Sequence, residues 1–193
     1  MAEKNGTPRL VIGIAGASGA IYGIRALELT RKLAVETHLV LSANAELTIA
    51  HETKFSVAEV KALADVVHER GNLAATISSG SFKTLGMLVA PCSVKTMSEI
   101  ATGVTSSLLS RAADVTLKER RRLVLMVRET PLHTGHLRTM VALSEMGAIV
   151  APPVPAFYSG AKTLDEAVTQ SIARMLDLFG LDTGAVKRWD GGR

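Results

Sequence analysis

The sequence predicts a three-layer α/β sandwich built around a parallel sheet. Three observations carry this expectation. Five short runs, beginning at Arg9, Thr37, Leu85, Leu123 and Ala148, are continuously apolar, as strands covered on both faces are. Helix-compatible segments separate them, and strands alternating with helices make βαβ units. Apolar residues form 47% of the chain while aromatics form only 4%, so the core material is mostly Ala, Val, Leu and Ile.

In chain order, Arg9–Ala15 is the first strand, and a glycine-rich turn leads to a helix over Ile21–Leu33. Thr37–Leu41 is a second strand ending in Ser42, followed by a helix over Ala43–His51. A short helix over Ser56–Asp65 has Ser56 as N-cap and Glu59 completing a capping box. Gly71–Thr84 is a loop with the composition of a mobile flap. The third strand, Leu85–Ala90, is expected to stop at Pro91. Helical pieces follow at Thr96–Thr102 and Ser106–Lys118, then a fourth strand at Leu123–Val127. A helix over Leu137–Met146 closes at Gly147, and Ala148–Ala151 is the fifth strand. The last helix, Thr163–Phe179, is capped by Thr163 and Glu166 and ended by Gly180.

At 193 residues, with no internal repeat or linker, the chain is expected to form one domain, with a flexible N-terminus over residues 1–8 and a tail over 181–193. Mean hydropathy is +0.25, a hint of apolar surface left for oligomerisation. The net charge of +4 favours anionic partners, but the basic residues are scattered and few aromatics interleave them, which argues against nucleic acid. No apolar run is long enough to span a membrane. The N-terminus lacks a signal peptide's apolar core, and the single cysteine, Cys92, forbids an intramolecular disulfide. A cytoplasmic location is expected.

The residues at the end of each strand form the most informative pattern. The five strands end at Gly16-Ala17-Ser18, at Ser42, at Pro91-Cys92-Ser93, at Arg128-Glu129 and at the proline run leading to Tyr158. In an open α/β sheet these carboxyl ends share one edge, and ligands bind in the crevice outside them. A strand, a glycine loop and a helix in succession present backbone N–H groups and a helix N-terminus to one anion. The glycine spacing is Gly13-x-x-Gly16-x-x-Gly19 rather than the dinucleotide G-x-G-x-x-G. Strand two ends in Ser42 instead of a ribose-binding acid, and Glu36 lies at the strand's other end. A single phosphate, as in FMN, fits better than NAD. A nucleophile elbow also fails, since Ala20 stands where its second glycine belongs.

Other groups are ambiguous by themselves. Arg111 and Lys118 are seven residues apart and share a helix face, which serves either solvent or a phosphate. His133 and His136 form H-x-x-H without a third ligand, a poor metal site. Cys92 after a proline suits packing better than nucleophilic attack. Glu52 is indistinguishable from a surface acid.

The chain resembles the UbiX-type flavin prenyltransferases, related to the B subunits of hydroxyarylic-acid decarboxylase systems. The resemblance rests on Gly16-Ala-Ser-Gly-Ala-Ile-Tyr-Gly23, Glu36-Thr-His-Leu-Val, Ser78-Ser-Gly-Ser-Phe82, Pro91-Cys-Ser93, Arg111-Ala-Ala-Asp-Val-Thr-Leu-Lys-Glu-Arg120, Val127-Arg-Glu-Thr-Pro-Leu-His133, Pro152-Pro-Val-Pro-Ala-Phe-Tyr158 and Arg188-Trp189. It implies a flavodoxin-like Rossmann fold, a homododecamer, and transfer of a dimethylallyl group from dimethylallyl monophosphate to N5 and C6 of reduced FMN. The prenylated FMN would serve a UbiD-type decarboxylase, and no metal is implied.

Carried across residue by residue, FMN contacts fall on Gly16, Ala17, Ser18, Ser42, Ser93, Val94, Lys95, Thr96 and Arg128. The prenyl-phosphate site falls on Ser18, Arg111, Lys118, Tyr158 and Arg174. Glu52 and Glu129 match carboxylates near the reacting atoms, and Trp189 a tail tryptophan able to steady allylic charge. Lys95 departs from the small residues some members carry there. Two other functions compete. One is an FMN-dependent cysteine decarboxylase of the same superfamily, for which His51 would supply the histidine but Pro91-Cys-Ser replaces the expected motif. The other is a non-catalytic FMN carrier.

Overall fold

In the computed structural model, which describes residues 6–191, the elements are β1 (Arg9–Ile14), α1 (Ala20–Thr30), β2 (Glu36–Leu41), α2 (Ala43–Glu52), α3 (Val57–Lys61), β3 (Val66–His68), β4 (Gly86–Cys92), α4 (Val94–Thr102), α5 (Leu108–Lys118), β5 (Arg122–Val127), α6 (Thr134–Glu145), β6 (Ile149–Val150) and α7 (Leu164–Asp177). Single 3-10 turns occupy Thr76–Ser78 and Phe157–Ser159. Residues 1–5 of the expected flexible N-terminus lie outside the described residues. By residue 8 the chain is tied to the sheet, since the Glu36 N–H donates to the Pro8 carbonyl at 2.8 Å.

All strands are parallel, in the order β3-β2-β1-β4-β5-β6. Without the short edge strand β3, the remaining five run 2-1-3-4-5 in their own sequence order, the flavodoxin arrangement. The order reverses between β1 and β4, so a crevice opens at their carboxyl ends.

The strands alternate between two cores. Leu10, Ile12 and Ile14 of β1 join Ile24, Leu27, Ile49, Ile172 and Leu176 beneath α1, α2 and α7. Val11 of β1 and Ala15 just beyond it join Met97, Leu108, Leu109, Ala112 and Leu143 beneath α4, α5 and α6. That two-sided burial is why the strands read as apolar runs without alternation. Gly23 lets α1 lie directly on the switch point: a Cβ there would stand 2.4 Å from the Ala90 carbonyl oxygen and 2.5 Å from Ile14 Cγ1.

Three features depart from expectation. Pro91 does not end its strand, because β4 continues to Cys92. The pairing of β4 with β5 shifts register between Val89 and Cys92, so the missing proline N–H falls where the ladder is already irregular. The strand β3 was not expected at all. The Gly71–Thr84 flap is also anchored: Ile77 and Ala75 are buried, and Arg121 donates to the carbonyls of Phe82 at 2.7 Å and Gly80 at 2.5 Å. The capping boxes at Ser56/Glu59 and Thr163/Glu166 form as expected.

Candidate functional site

The strand ends are laced together at the switch point. The Ala15 N–H donates to the Pro91 carbonyl (3.1 Å), Ser42 N–H to Ile14 (3.0 Å) and Arg128 N–H to Cys92 (3.1 Å). Three of the expected polar terminations therefore converge with the glycine loop on one crevice.

Helix α1 opens there on Gly19, whose φ of 99° is left-handed, with no side-chain cap and no acid in the first turn. The other helices begin on a capping side chain: Ser42, Ser56, Ser93, Ser107, His133 and Thr163. Apart from the Gly19 and Tyr22 N–H groups, which the Glu52 carboxylate and the Gly19 carbonyl accept, the first-turn donors of α1 have no side-chain cap, and the positive end of the helix dipole stands behind them. Gly16, Ala17 and Ser18 form the approach, with Ala17 buried and Ser18 exposed.

The crevice rim carries hydroxyls, carboxylates and a cation. Ser42 and Ser93 accept the N–H of Ala45 (3.1 Å) and Thr96 (3.3 Å), which uses the hydroxyl oxygen of Ser42 but not its proton. Ser93 also donates to Thr96 Oγ1 at 3.1 Å. Val94, Lys95 and Thr96 form the first turn of α4, where backbone N–H groups lack helical acceptors. The Lys95 side chain turns outward, 73% exposed, and pairs with Glu99 at 2.7 Å. Glu52, the last residue of α2, reaches back to the glycine loop and accepts the Gly19 N–H at 2.7 Å. Glu129 accepts the N–H of Thr130 at 3.0 Å.

Sequence reasoning gave no role to Tyr22. Burial pushes its phenol above the ordinary range, and the positive charge of Arg128 opposes that shift. Its place three residues after Gly19, one turn into α1, was the available signal. Cys92 beneath the crevice is fully buried, and its thiol is pushed up to about 12 by burial, which fits packing.

A second cluster forms on the flank of α7. Tyr158, Arg174 and Trp189 line a pocket of about 440 Å³ with Asp177, Val186 and Arg188. The Tyr158 and Trp189 rings meet edge to face, 5.6 Å between centroids at 72°. Arg174 Nη1 lies 3.9 Å from Asp177 Oδ2 and stays half exposed.

Arg111 and Lys118 do not join either group within one chain. They sit on α5, across the sheet from α7. Arg111 pairs with Asp114 at 2.8 Å and Lys118 with Glu119 at 2.6 Å. Helix α5 leads almost directly into the first residue of β5, so Lys118 lies at the amino edge of the sheet, opposite the glycine loop.

Glu36 also lies at that amino edge, as its place in the sequence required. It accepts from Arg9 (3.0 Å) and is bonded to buried His38 (2.8 Å), which in turn meets His68 at 2.9 Å. His133 of the H-x-x-H pair caps α6 and stacks on His136, 3.6 Å between centroids. Among the described residues no group of three or more His, Cys, Asp or Glu could hold a metal ion. No helix among them is long and apolar enough to cross a membrane.

Comparison with known proteins places these features in a family. The flavoprotein family model matches residues 1–176. The flavin prenyltransferase UbiX of Thauera aromatica is 54% identical over 183 residues, covering 95% of this chain and 94% of the relative. Among solved structures, AnUbiX (PadA1) in complex with FMN and dimethylallyl pyrophosphate superposes with a TM-score of 0.95 at 52% identity, over 96% of this chain and 99% of that one. A dodecameric FMN-dependent UbiX-like decarboxylase from Escherichia coli O157:H7 superposes with a TM-score of 0.93 at 50% identity, over 95% of this chain and all of that one. An FMN-dependent cysteine decarboxylase, TvaF, matches at 16% identity and a TM-score of 0.64, a likeness of fold alone.

Proposed function

The chain belongs to the flavoprotein family and, within it, to the UbiX-type flavin prenyltransferases, and on that premise we propose that it moves the dimethylallyl group of dimethylallyl monophosphate onto reduced FMN. Reduced FMN supplies the nucleophilic positions N5 and C6, at which the new ring closes. The prenylated flavin then passes to a UbiD-type decarboxylase.

The residues fit a flavin monophosphate. The uncapped start of α1 and the approach Gly16–Ser18 offer backbone donors to an anion, as the glycine spacing suggested. Ser42, the first turn of α4 from Ser93 to Thr96, and Arg128 supply further donors around the same crevice. A monophosphate is a poor leaving group, so donors and cations must stabilise the charge growing on it. Ser18, Arg111, Lys118, Tyr158 and Arg174 have that chemistry. Glu129 and Glu52 share the proton movements, Glu52 acting mainly at the C6 step; a positioned carboxylate of this kind contributes about 10²–10⁴-fold. The exposed indole of Trp189 offers a π face to allylic positive charge.

The observation that carries the proposal is the second pocket, where an arginine, a tyrosine and a tryptophan meet away from the glycine loop. Holding a flavin needs no such site, so a carrier function leaves it unexplained. Because α5 and α7 lie on opposite sheet faces, a complete site takes Lys118 and Arg174 from different chains. The dodecameric relative supports such an assembly.

The test is anaerobic incubation with reduced FMN and dimethylallyl monophosphate, followed by mass analysis of the released flavin. A gain of one C5H8 unit is expected; an unchanged flavin mass overturns the proposal.

A further inference from the structure

We infer that Gln170 and Asp177 on α7 are positioning residues for prenyl transfer, forming a two-point latch that sets Trp189 over the phosphate pocket. This rests on the function proposed above. The segment from Leu181 to Gly191 has no helix or strand, so no backbone ladder orders it. It is held by side chains from α7 instead. Gln170, only 7% exposed, takes Lys187 by both backbone groups: its Oε1 accepts the Lys187 N–H at 2.8 Å, and its Nε2 donates to the Lys187 carbonyl at 3.1 Å. That imitates one rung of a strand pair. Asp177, 10% exposed, accepts both arms of Arg188 at 2.8 and 3.0 Å.

The two grips fall on the residues immediately before Trp189. They fix the backbone direction from which the indole leaves, and so bring it edge-on to Tyr158. Asp177 also stands 3.9 Å from Arg174, so one partly buried carboxylate orients both the tail and a proposed phosphate ligand. Buried polar groups are costly unless bonded, and here the bonds go to a segment with no helix or strand of its own. A carboxamide and a carboxylate spent this way are better explained by placing Trp189 than by stabilising the fold.

Trp189 is the chain's one tryptophan, so its fluorescence reports the latch directly. The test compares full-length wild type with Gln170→Ala and Asp177→Ala, singly and together, and with Gln170→Glu, which keeps the acceptor for Lys187 N–H and loses the donor. Losing two hydrogen bonds should weaken closure of the latch roughly tenfold. Acrylamide quenching of Trp189 should rise in each Ala variant, most in the double, with Gln170→Glu between Gln170→Ala and wild type. The kcat of prenyl transfer should fall up to about tenfold in each Ala variant and up to about a hundredfold in the double, while KM for FMN stays within about twofold, because the glycine loop is untouched. Unchanged quenching in the double variant overturns the latch. Raised quenching with unchanged kcat, or a parallel loss of FMN affinity, overturns its positioning role. If wild type transfers no prenyl group, the proposed function fails, while the quenching series still decides whether the latch exists.

Discussion

Replacing Gly23 by alanine sets two effects of known size against each other. Alanine inside a helix is favoured over glycine by about 1 kcal/mol, so propensity alone makes Gly23→Ala stabilising. The added methyl, however, would stand 2.4 Å from the Ala90 carbonyl oxygen and 2.5 and 2.6 Å from two Ile14 side-chain carbons. The oxygen belongs to β4 and cannot rotate away, and Ile14 is fully buried, so α1 must lift off β1 and β4. Overpacking of this kind costs about 1–3 kcal/mol, and a backbone obstacle puts it at the upper end. The net is a loss of about 2 kcal/mol, or roughly 4–8 °C in Tm for a chain of this length. Thermal unfolding of the FMN-free protein measures it directly. Because α1 carries the uncapped N-terminus, FMN affinity should fall with stability, which flavin titration reads. A variant as stable as wild type, or more so, would refute the close approach of α1 to the switch point.

Glu52→Gln keeps an oxygen for the Gly19 N–H and removes only the basic group. Ring closure should therefore slow by about 10²-fold or more with FMN binding retained; anaerobic stopped-flow spectra that close at the wild-type rate would remove Glu52 from the proton transfers. Lys118→Gln and Arg174→Gln should each be nearly inactive, yet equal mixtures unfolded and reassembled together should regain activity at about a quarter of their sites, since the two groups come from different chains. No regain in the mixture means that both act from one chain. Burial holds the imidazoles of His38 and His68 below their ordinary value of 6.5. An unfolded chain then takes up protons below that pH that the folded chain refuses, so stability falls as pH drops beneath 6.5. The bond from His38 holds the Glu36 carboxyl below its ordinary 4.5, so the stability it contributes above that pH is lost as pH falls further. His38→Gln should flatten the upper part of this dependence in urea titrations, and parallel slopes for the two proteins would contradict it.

How far the sequence reached differs from element to element. Strands β1, β4 and β5 were legible because burial on both faces demands an unbroken apolar run. Val66–His68 was not, because an edge strand of three half-exposed residues needs no such run and takes its pairing from β2. Capping boxes were legible since they are local, three residues from donor to acceptor. The start of α6 was misplaced to Leu137 because its cap is His133, an uncommon capping residue.

The chain by itself determined the parallel sandwich, the single-phosphate character of the glycine loop, the amino-edge position of Glu36 and, through its motifs, the family. Those properties depend on neighbours in sequence, on periodicity and on which residue ends each strand. The tertiary structure decided what depends on distance. It brought Glu52 back to Gly19 and gathered Tyr158, Arg174 and Trp189 from three segments. It also put α5 and α7 on opposite faces of the sheet, separating Lys118 from Arg174. Spacing along a chain fixes which helix face a side chain occupies, but only packing fixes which face of the sheet that helix covers.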